Sequence, residues 1–215
     1  MKRSYLLIIA VLLLGLSIGL IVGGSHKSPL ASSLLSFPEQ IQLSSGETFE
    51  ISPYEVTVSF PSTLIMGTIS HVYVKIHPLG ASPKRSIPSL TEGFQVNVES
   101  KLETTDAQIA PDGLIHAALK ADQDTDFTWN ITTDQPSHFT GTVWIYLAVQ
   151  PKTSSSITEE QPLFAIPLDI AVSTVLGLRA DLALVLGVFG SLIAIGLVFV
   201  ALGLNFFKYK TKKSK

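Results

Sequence analysis

The amino-acid sequence predicts an all-β domain, an antiparallel sandwich of about seven strands, with a transmembrane α-helix on each side of it. Three observations lead to this fold class. The two most apolar stretches of the 215-residue chain lie near its ends. Between them, apolar and polar residues alternate with a period of two in several short runs, as they do in half-buried β-strands. No part of this middle segment sustains a helical period, so we expect sheets without intervening helices.

The first element is residues 1–24, which we predict to be a signal-anchor helix. Residues 5–22 carry no charge, and as an α-helix they would span roughly 27 Å, close to the thickness of the hydrocarbon layer. A cleaved signal peptide is the alternative, because Gly23, Gly24 and Ser25 would form a cleavage site of small residues. Both interpretations place the following domain on the same side of the membrane.

The last element is a second membrane helix at residues 182–207. This run of 26 residues is uncharged and would extend roughly 39 Å as a helix, so it can span a bilayer with some tilt. Lys208 and Lys210 end it abruptly. We predict that residues 208–215 form a basic cytoplasmic tail.

Between the two helices, the sequence predicts a flexible tether at residues 25–39 and a β-sandwich ectodomain at residues 40–175. Ser and Pro are frequent in the tether, which is typical of an unstructured linker. Strands are predicted where apolar residues occupy alternate positions. These runs are residues 56–60, 72–76, 94–98, 127–131, 143–149 and 164–172, with an edge strand near 48–51.

Two parts of this domain resemble known proteins. Residues 56–61 (VTVSFP), followed through Gly67 by residues 71–76, resemble the opening strands of bacterial Ig-like domains. The run Phe127-x-Trp129-x-Ile131 and residues 141–147 (GTVWIYL) resemble their closing strands. The likeness implies an Ig-like antiparallel β-sandwich of the kind found in bacterial membrane-anchored ectodomains. It implies no activity, because such sandwiches carry many unrelated functions.

The charges of the chain are distributed very unevenly. Eight basic and 17 acidic residues lie between the apolar runs, whereas the outer flanks hold seven basic residues and no acidic one. The basic flank residues, which we expect to set topology and to attract anionic lipid, are Lys2, Arg3, Lys208, Lys210, Lys212, Lys213 and Lys215. We therefore predict a plasma (inner) membrane protein with an extracytoplasmic main domain, and with both termini cytoplasmic if the first helix is retained. The acidic domain would repel phosphates, so nucleic acid is not an expected partner.

The sequence carries no motif of catalytic or cofactor chemistry. Cysteine is absent, which excludes disulfides, thiolate zinc sites and thiol nucleophiles, and none of the five histidines has the helical spacing of a metal-binding pair. We therefore expect no enzymatic activity and no cofactor. Asp122, Asp124 and Asp126 alternate along the chain and could meet one calcium ion, although a solvated acidic turn is the simpler interpretation.

Small residues recur along one side of each membrane helix. They are Gly15, Gly19 and Gly23 in the first helix, and Ala183, Gly187, Gly190 and Ala194 in the second. Small residues let helix backbones approach closely in lipid, where no hydrophobic force drives helices together. We predict that these faces pack on each other or on helices of a partner, although glycine is also frequent in membrane helices in general.

One predicted strand is apolar on both of its faces. Trp144 and Tyr146 alternate there with Val143, Ile145 and Leu147. A central strand covered by other parts of the chain would explain this pattern. The alternative is an exposed aromatic patch for a partner, because large aromatic side chains supply much of the energy at interfaces.

These features predict a non-enzymatic accessory or scaffold subunit whose sandwich caps the outer face of a membrane protein complex. Its expected partners are the lipid bilayer and other membrane proteins, or a second copy of the chain bound through the small-residue helix faces. The alternative is a cell-surface recognition or adhesion module that binds a protein or carbohydrate ligand through its loops. Residues 78–93 are the candidate loop for that alternative.

Overall fold

The structure is a computed structural model that describes residues 3–25, 27–80, 90–120, 122–135, 138–152 and 159–212. The chain divides into two compact units, and each is described by itself. The larger unit consists of Ser28–Leu64 and Ile69–Val172, and we call it the β unit. The smaller unit consists of Met1–Lys27, Ile65–Thr68 and Ser173–Lys215, and we call it the helical unit.

Strands make up most of the β unit, as the period-two runs predict. A one-turn helix, α2 (Leu90–Gly93), precedes the seventh strand. In chain order the strands are β1 (Leu30–Ser36), β2 (Gln40–Gln42), β3 (Thr48–Glu50), β4 (Tyr54–Pro61), β5 (Thr63–Ile65), β6 (Ser70–Pro78), β7 (Phe94–Thr104), β8 (Gln108–Ala110), β9 (Ile115–Ala118), β10 (Thr125–Thr132), β11 (His138–Pro151) and β12 (Glu159–Ser173).

The strands form two five-stranded sheets and a small hairpin. The first sheet has the order β1-β4-β6-β10-β8, the second has the order β5-β12-β11-β7-β9, and β2 pairs with β3. Neighbouring strands run antiparallel, with Val58 opposite Val74 in the first sheet and Val143 opposite Leu102 in the second. The alternating apolar residues of such strands all point to one face of their sheet.

Both sheets contribute these apolar faces to one hydrophobic core. Trp129 and Phe127 of β10 and Phe139 of β11 are among its largest buried side chains. Burying a large apolar side chain stabilises a fold by about 1.5–3 kcal/mol, so this core accounts for a folded domain without disulfides. The structure therefore confirms a mostly β middle segment, which is the coarse part of the predicted fold.

The helical unit contains two long apolar helices, α1 (Arg3–Ser25) and α3 (Ala180–Lys212). Two of their segments, Ser4–Ser25 and Ala180–Leu202, are long and apolar enough to cross a membrane, with mean hydropathies of 2.9 and 2.7. Leu, Ile and Val make up most of both segments, which gives them hydrophobic surfaces on almost every side. Two apolar helices thus flank the β unit in the sequence.

The structure corrects the prediction of a tether at residues 25–39. Residues Leu30–Ser36 form β1, which pairs with β4 along its whole length. The sequence hides this strand because Leu34 and Leu35 are adjacent and serine occupies several other positions, so no clean alternation is visible. Leu35 packs on the core, whereas Leu30 and Leu34 are exposed.

The structure also contains more strands than the seven that were predicted. The additional strands β2, β5, β8 and β9 are three or four residues long, too short for a period of two to be recognised. Within the predicted loop at residues 78–93, the structure places the end of β6 and the turn of α2. Residues 81–89 of that loop lie outside the described residues.

Candidate interaction surfaces

Small residues form the face through which α3 contacts α1. Ala180, Ala183, Ala194 and Ala201 are each at most 1% exposed, and Gly187 is buried between them. With Gly190, these small residues follow one another at alternating spacings of three and four residues from Ala180 to Ala194. Ala201 comes seven residues after Ala194, which is the sum of one such pair of spacings. This is the repeat that keeps one helix face against a neighbour. The predicted small-residue stripe of α3 therefore lies along this contact.

The backbones of the two helices approach each other closely. A Cβ atom at Gly187 would lie 2.7 Å from Ile21 Cγ1 and 2.9 Å from the Ser17 carbonyl oxygen. A Cβ atom at Gly24 would lie 2.8 Å from Leu184 Cγ. Gly24, near the end of α1, thus meets Leu184 near the start of α3, whereas Ser17, earlier in α1, meets Gly187 further along α3. The two helices are therefore antiparallel. In lipid, such close packing of backbones is a main source of helix association.

The predicted glycine stripe of α1 does not lie on this contact. A Cβ atom at Gly15 or at Gly19 would have no neighbouring atom within 4 Å, and both residues are exposed. A Cβ atom at Gly23 would instead meet Val175 Cγ1 at 2.8 Å. The buried face of α1 is formed by Ala10, Ser17, Leu20 and Gly24. Gly15 and Gly19 were predicted to pack either on α3 or on a helix of a partner. Since they do not contact α3, only the contact with a partner is left as a prediction.

At one end of the helical unit, residues 65–68 and the segment before α3 contact each other and the helices. Leu20, Ile65 and Val175 form a small apolar cluster with Ala180 and Ala183. The Met66 amide donates to the Ser173 carbonyl oxygen (2.9 Å), and the Ala180 amide donates to the Met66 carbonyl oxygen (2.8 Å). The second bond satisfies an amide at the start of α3 that would otherwise lack a partner in the helix.

A tight turn precedes α3 within the helical unit. Val175 and Leu178 exchange two backbone hydrogen bonds of 2.9 and 3.0 Å around Leu176 and Gly177. Both central residues have positive φ, 52° at Leu176 and 81° at Gly177, as in a type I′ turn. Glycine adopts this conformation freely, whereas leucine is strained in it. Leu176 is also 71% exposed.

Four of the seven basic residues that are predicted to set topology fall within the described parts of the two helices. The backbones of Arg3, Lys208, Lys210 and Lys212 belong to α1 and α3. Lys2, Lys213 and Lys215 lie outside the described residues. Because α1 and α3 are antiparallel, the start of α1 at Arg3 lies at the same end of the helix pair as the C-terminal part of α3. Basic residues at one end of a helix pair are what the topology prediction requires.

The three aspartates named as a calcium candidate are not gathered into one group of possible ligands. Among the described residues, no group of three or more His, Cys, Asp or Glu side chains is placed to hold a metal ion. Asp124 instead pairs with Lys75 Nζ and with His77 Nδ1, each at 2.6 Å. These two contacts lower the pKa of the Asp124 carboxyl, the hydrogen bond from Lys75 first. Asp122 and Asp126 are exposed, as expected for a solvated turn.

Trp144 and Tyr146 lie side by side on the outward face of β11. Their rings are nearly parallel, with centroids 6.1 Å apart, and both side chains are half-buried. Trp144 Nε1 donates to Glu103 Oε2 (2.9 Å), and Lys101 Nζ donates to Glu103 Oε1 (2.6 Å). The Lys101 hydrogen bond is the main reason that the pKa of Glu103 is lowered. The aromatic pair is thus held in one orientation by a charged neighbour.

An open cleft of about 580 Å³ lies next to this aromatic pair, between the ends of β7 and β11 and the segment that follows β8. Its walls carry the hydroxyl groups of Thr104, Thr105, Thr140 and Thr142. Lys101, Glu103 and Asp112 add charges, while Leu102, Ile109 and Gly141 complete the lining. The sequence does not reveal this cleft, because its residues come from three segments that no local motif connects.

The four described histidines pair with side chains of neighbouring strands. His71 Nδ1 lies 2.8 Å from Asn130 Oδ1, and His138 Nδ1 lies 3.1 Å from Asp169 Oδ1. His116 Nδ1 lies 2.8 Å from Oε1 of Glu99, a carboxylate that is buried on the outward face of β7. With the His77–Asp124 pair, these contacts are cross-strand pairs of the kind that stabilises sheets.

Comparisons with known proteins add little beyond architecture. No protein-family model matches this chain, and no curated protein matches it in sequence. A chain from the complex of zinc 2-glycoprotein and prolactin-inducible protein from human seminal plasma aligns with a TM-score of 0.37 and 14% identity, covering 56% of this chain and 93% of that chain. The ASH/PapD-like domain of human CEP192 aligns with a TM-score of 0.32 and 10% identity, covering 54% of this chain and 79% of that domain. These neighbours are Ig-like and PapD-like β-sandwich domains, they identify no specific family, and nothing about function follows from them.

Proposed function

We propose that this chain is a non-enzymatic accessory or scaffold subunit of a membrane protein complex. In this proposal α1 and α3 anchor it in a plasma (inner) membrane, and both termini are cytoplasmic. The β unit is an Ig-like antiparallel sandwich on the extracytoplasmic side. The 17 acidic residues between the apolar runs and the seven basic residues outside them support this orientation.

The observation that carries the proposal is the face of α1 that bears Gly15 and Gly19. The α1–α3 contact uses Gly24, Gly187 and Gly190, so it leaves these two glycines unused and open. They are four residues apart and therefore share one helix face, as in the small-xxx-small pattern of associating membrane helices. A third helix, supplied by a partner subunit, can approach α1 closely there.

Trp144 and Tyr146 supply a second argument for a partner, from the β unit alone. Aromatic side chains that are partly exposed and fixed in position are enriched at protein interfaces. The Glu103 carboxylate fixes Trp144, and Tyr146 stacks beside it. The proposed partner patch is therefore preorganised, which reduces the entropy lost when a partner binds.

A non-enzymatic role agrees with how the polar residues are used. Each described histidine pairs through Nδ1 with a residue across its sheet, and the pairs lie on different strands. A catalytic site instead brings a base, a nucleophile and an anion-stabilising group to one place. We therefore assign the histidine pairs to sheet stability.

Copurification from native membranes tests the proposal. The tagged full-length chain would be extracted in a mild detergent, and the proteins that accompany it identified. We expect the double variant Gly15→Leu, Gly19→Leu to lose the accompanying membrane protein while α1 and α3 still pair. Gly196→Leu is the matched control, because Gly196 is also exposed with open space around it. A chain that purifies alone under all conditions, or a double variant that keeps its partner, would refute the proposed role.

A recognition module remains the second candidate function. Most of its predicted loop, residues 81–89, lies outside the described residues, so the loop itself adds no support. The observation that favours recognition is instead the threonine-rich cleft beside Trp144. Its chemistry allows a more specific statement.

A further inference from the structure

The polar groups of the cleft are fixed by one another. Thr104 Oγ1 donates to the Thr140 carbonyl oxygen (2.6 Å), and Thr140 Oγ1 donates to Asp106 Oδ2 (2.9 Å). The Asp106 amide donates to Thr104 Oγ1 (3.2 Å). This closed set of bonds holds the wall of the cleft in one geometry without a ligand. A ligand that hydrogen-bonds to this wall therefore loses little free energy to ordering it.

The charges of the cleft decide between classes of ligand. Both carboxylate oxygens of Glu103 already accept a hydrogen bond, one of them from Lys101, and both oxygens of Asp106 accept from threonine hydroxyls. Lys101 thus offsets the charge of Glu103, whereas the neutral hydroxyl groups that donate to Asp106 occupy its oxygens without cancelling its charge. Asp112 adds a negative charge, so phosphates and carboxylates are repelled. The charges therefore exclude an anionic ligand, and the hydrogen-bonding groups that remain decide the class.

The functional groups that remain available suit hydroxyl groups. The lowered pKa of Glu103 keeps it ionised, and an ionised carboxylate accepts more than one hydrogen bond per oxygen. The Thr142 hydroxyl can both donate and accept, and Asp112 is an exposed acceptor. Trp144 is not part of the lining, but it donates to the lining residue Glu103 and can offer an apolar ring to the C–H face of a sugar that extends beyond the cleft.

We propose that this cleft binds a neutral saccharide, with Asp112 and Thr142 hydrogen-bonding to ring hydroxyls and Trp144 packing beside the sugar. The proposal does not depend on the accessory-subunit role, since it uses only residues of the β unit. It gives the chain a ligand of a different chemical class from the membrane partner proposed above. An open cleft of this size holds one or two sugar residues, and binding of a single short oligosaccharide is expected to be weak.

The two tryptophans provide a direct assay on the full-length chain. Trp129 is completely buried in the core, whereas Trp144 is half-buried, so acrylamide quenching reports mainly on Trp144. The chain would be placed in phosphatidylcholine bicelles, because these add no tryptophan from a scaffold protein and no detergent with a sugar head group that would compete for the cleft. The probes are cellopentaose, maltopentaose and chitotriose at about 10 mM, a concentration at which millimolar sites are filled.

We expect at least one of these oligosaccharides to protect Trp144 from quenching. Asp112→Asn and Thr142→Val, which change exposed or half-buried positions and leave the core intact, should each weaken binding about tenfold. Asp126→Asn and Thr128→Val are the matched controls, because they make the same changes on the outward face of the other sheet and should leave affinity unchanged.

Three results would overturn the proposal. The first is the absence of any effect of all three oligosaccharides on folded protein, with folding checked by the shielded emission of Trp129. The second is binding that the two cleft variants leave unchanged. The third is binding of a pentalysine peptide, but of no saccharide, that Asp112→Asn abolishes, because the cleft would then be a cation site. None of these results bears on copurification with a membrane partner.

Discussion

Replacement of Gly187 by alanine tests how closely α1 and α3 pack. The new Cβ atom would lie 2.7 Å from Ile21 Cγ1 and 2.9 Å from the Ser17 carbonyl oxygen. The Ile21 side chain can rotate away, but the Ser17 oxygen belongs to the helix backbone. Ordinary van der Waals contact begins at 3.4 Å, so the backbones must separate by several tenths of an ångström along this part of the contact.

The size of the effect follows from the cost of overpacking. Inserting a methyl group into a well-packed contact destabilises it by about 1–3 kcal/mol. Alanine also has a higher helix propensity than glycine, by about 1 kcal/mol, which acts in the opposite direction. Gly196→Ala carries the same propensity change but meets open space, so it serves as the control. We therefore expect Gly187→Ala to be less stable than Gly196→Ala by about 1–3 kcal/mol.

Unfolding of the helix pair can be followed by energy transfer between two dyes. The chain has no cysteine, so Tyr5→Cys and Leu202→Cys give unique labelling sites. Both positions are exposed, and the antiparallel arrangement places them at similar depth along the pair. SDS titration of the labelled chain in mixed micelles then measures the loss of energy transfer. Equal midpoints for Gly187→Ala and Gly196→Ala would refute the close contact.

Three further predictions concern single side chains. Leu176→Asn should raise the free energy of unfolding by up to about 1 kcal/mol in denaturant titration, because asparagine tolerates positive φ better than leucine. Lys101→Met should raise the pKa of Glu103 in an NMR titration. Because that pKa is now lowered, the pair stabilises the fold above the unfolded-state pKa and loses this effect as pH falls through the lowered value. His116→Ala should lower the melting temperature, because it leaves the buried Glu99 carboxylate without its hydrogen bond from His116, at a cost of about 1–3 kcal/mol. His116→Gln, which keeps a polar side chain at this position, should recover part of the lost stability.

The sequence predicts the parts of this fold in which a single period dominates. The uncharged runs at 5–22 and 182–207 lie within α1 and α3, and the alternation around Val56, Val72 and Phe127 matches β4, β6 and β10. These patterns are visible because one face of each strand is buried and the other is not. The strand β1 was mistaken for a tether because its serines give no such contrast.

The interaction surfaces were less predictable, because they depend on which residues meet in space. The α3 stripe through Gly187 lies on the helix contact, but the α1 stripe through Gly19 does not. Small residues occur on more than one side of α1, and the sequence does not show which side the partner helix takes. Similarly, the cleft combines parts of β7 and β11, which pair with each other, with Ile109 and Asp112 from β8 and the segment after it, although β8 belongs to the other sheet.

Labelling from one side of the membrane tests the central claim most directly. Because the chain has no cysteine, Asp126→Cys in the β unit and Ser214→Cys in the basic tail each carry a single reactive thiol. Intact cells would be treated with a maleimide that cannot cross the membrane, before and after lysis. We predict that the cysteine at 126 reacts in intact cells, and that the one at 214 reacts only after lysis. Reaction of the cysteine at 126 only after lysis would contradict the proposed orientation.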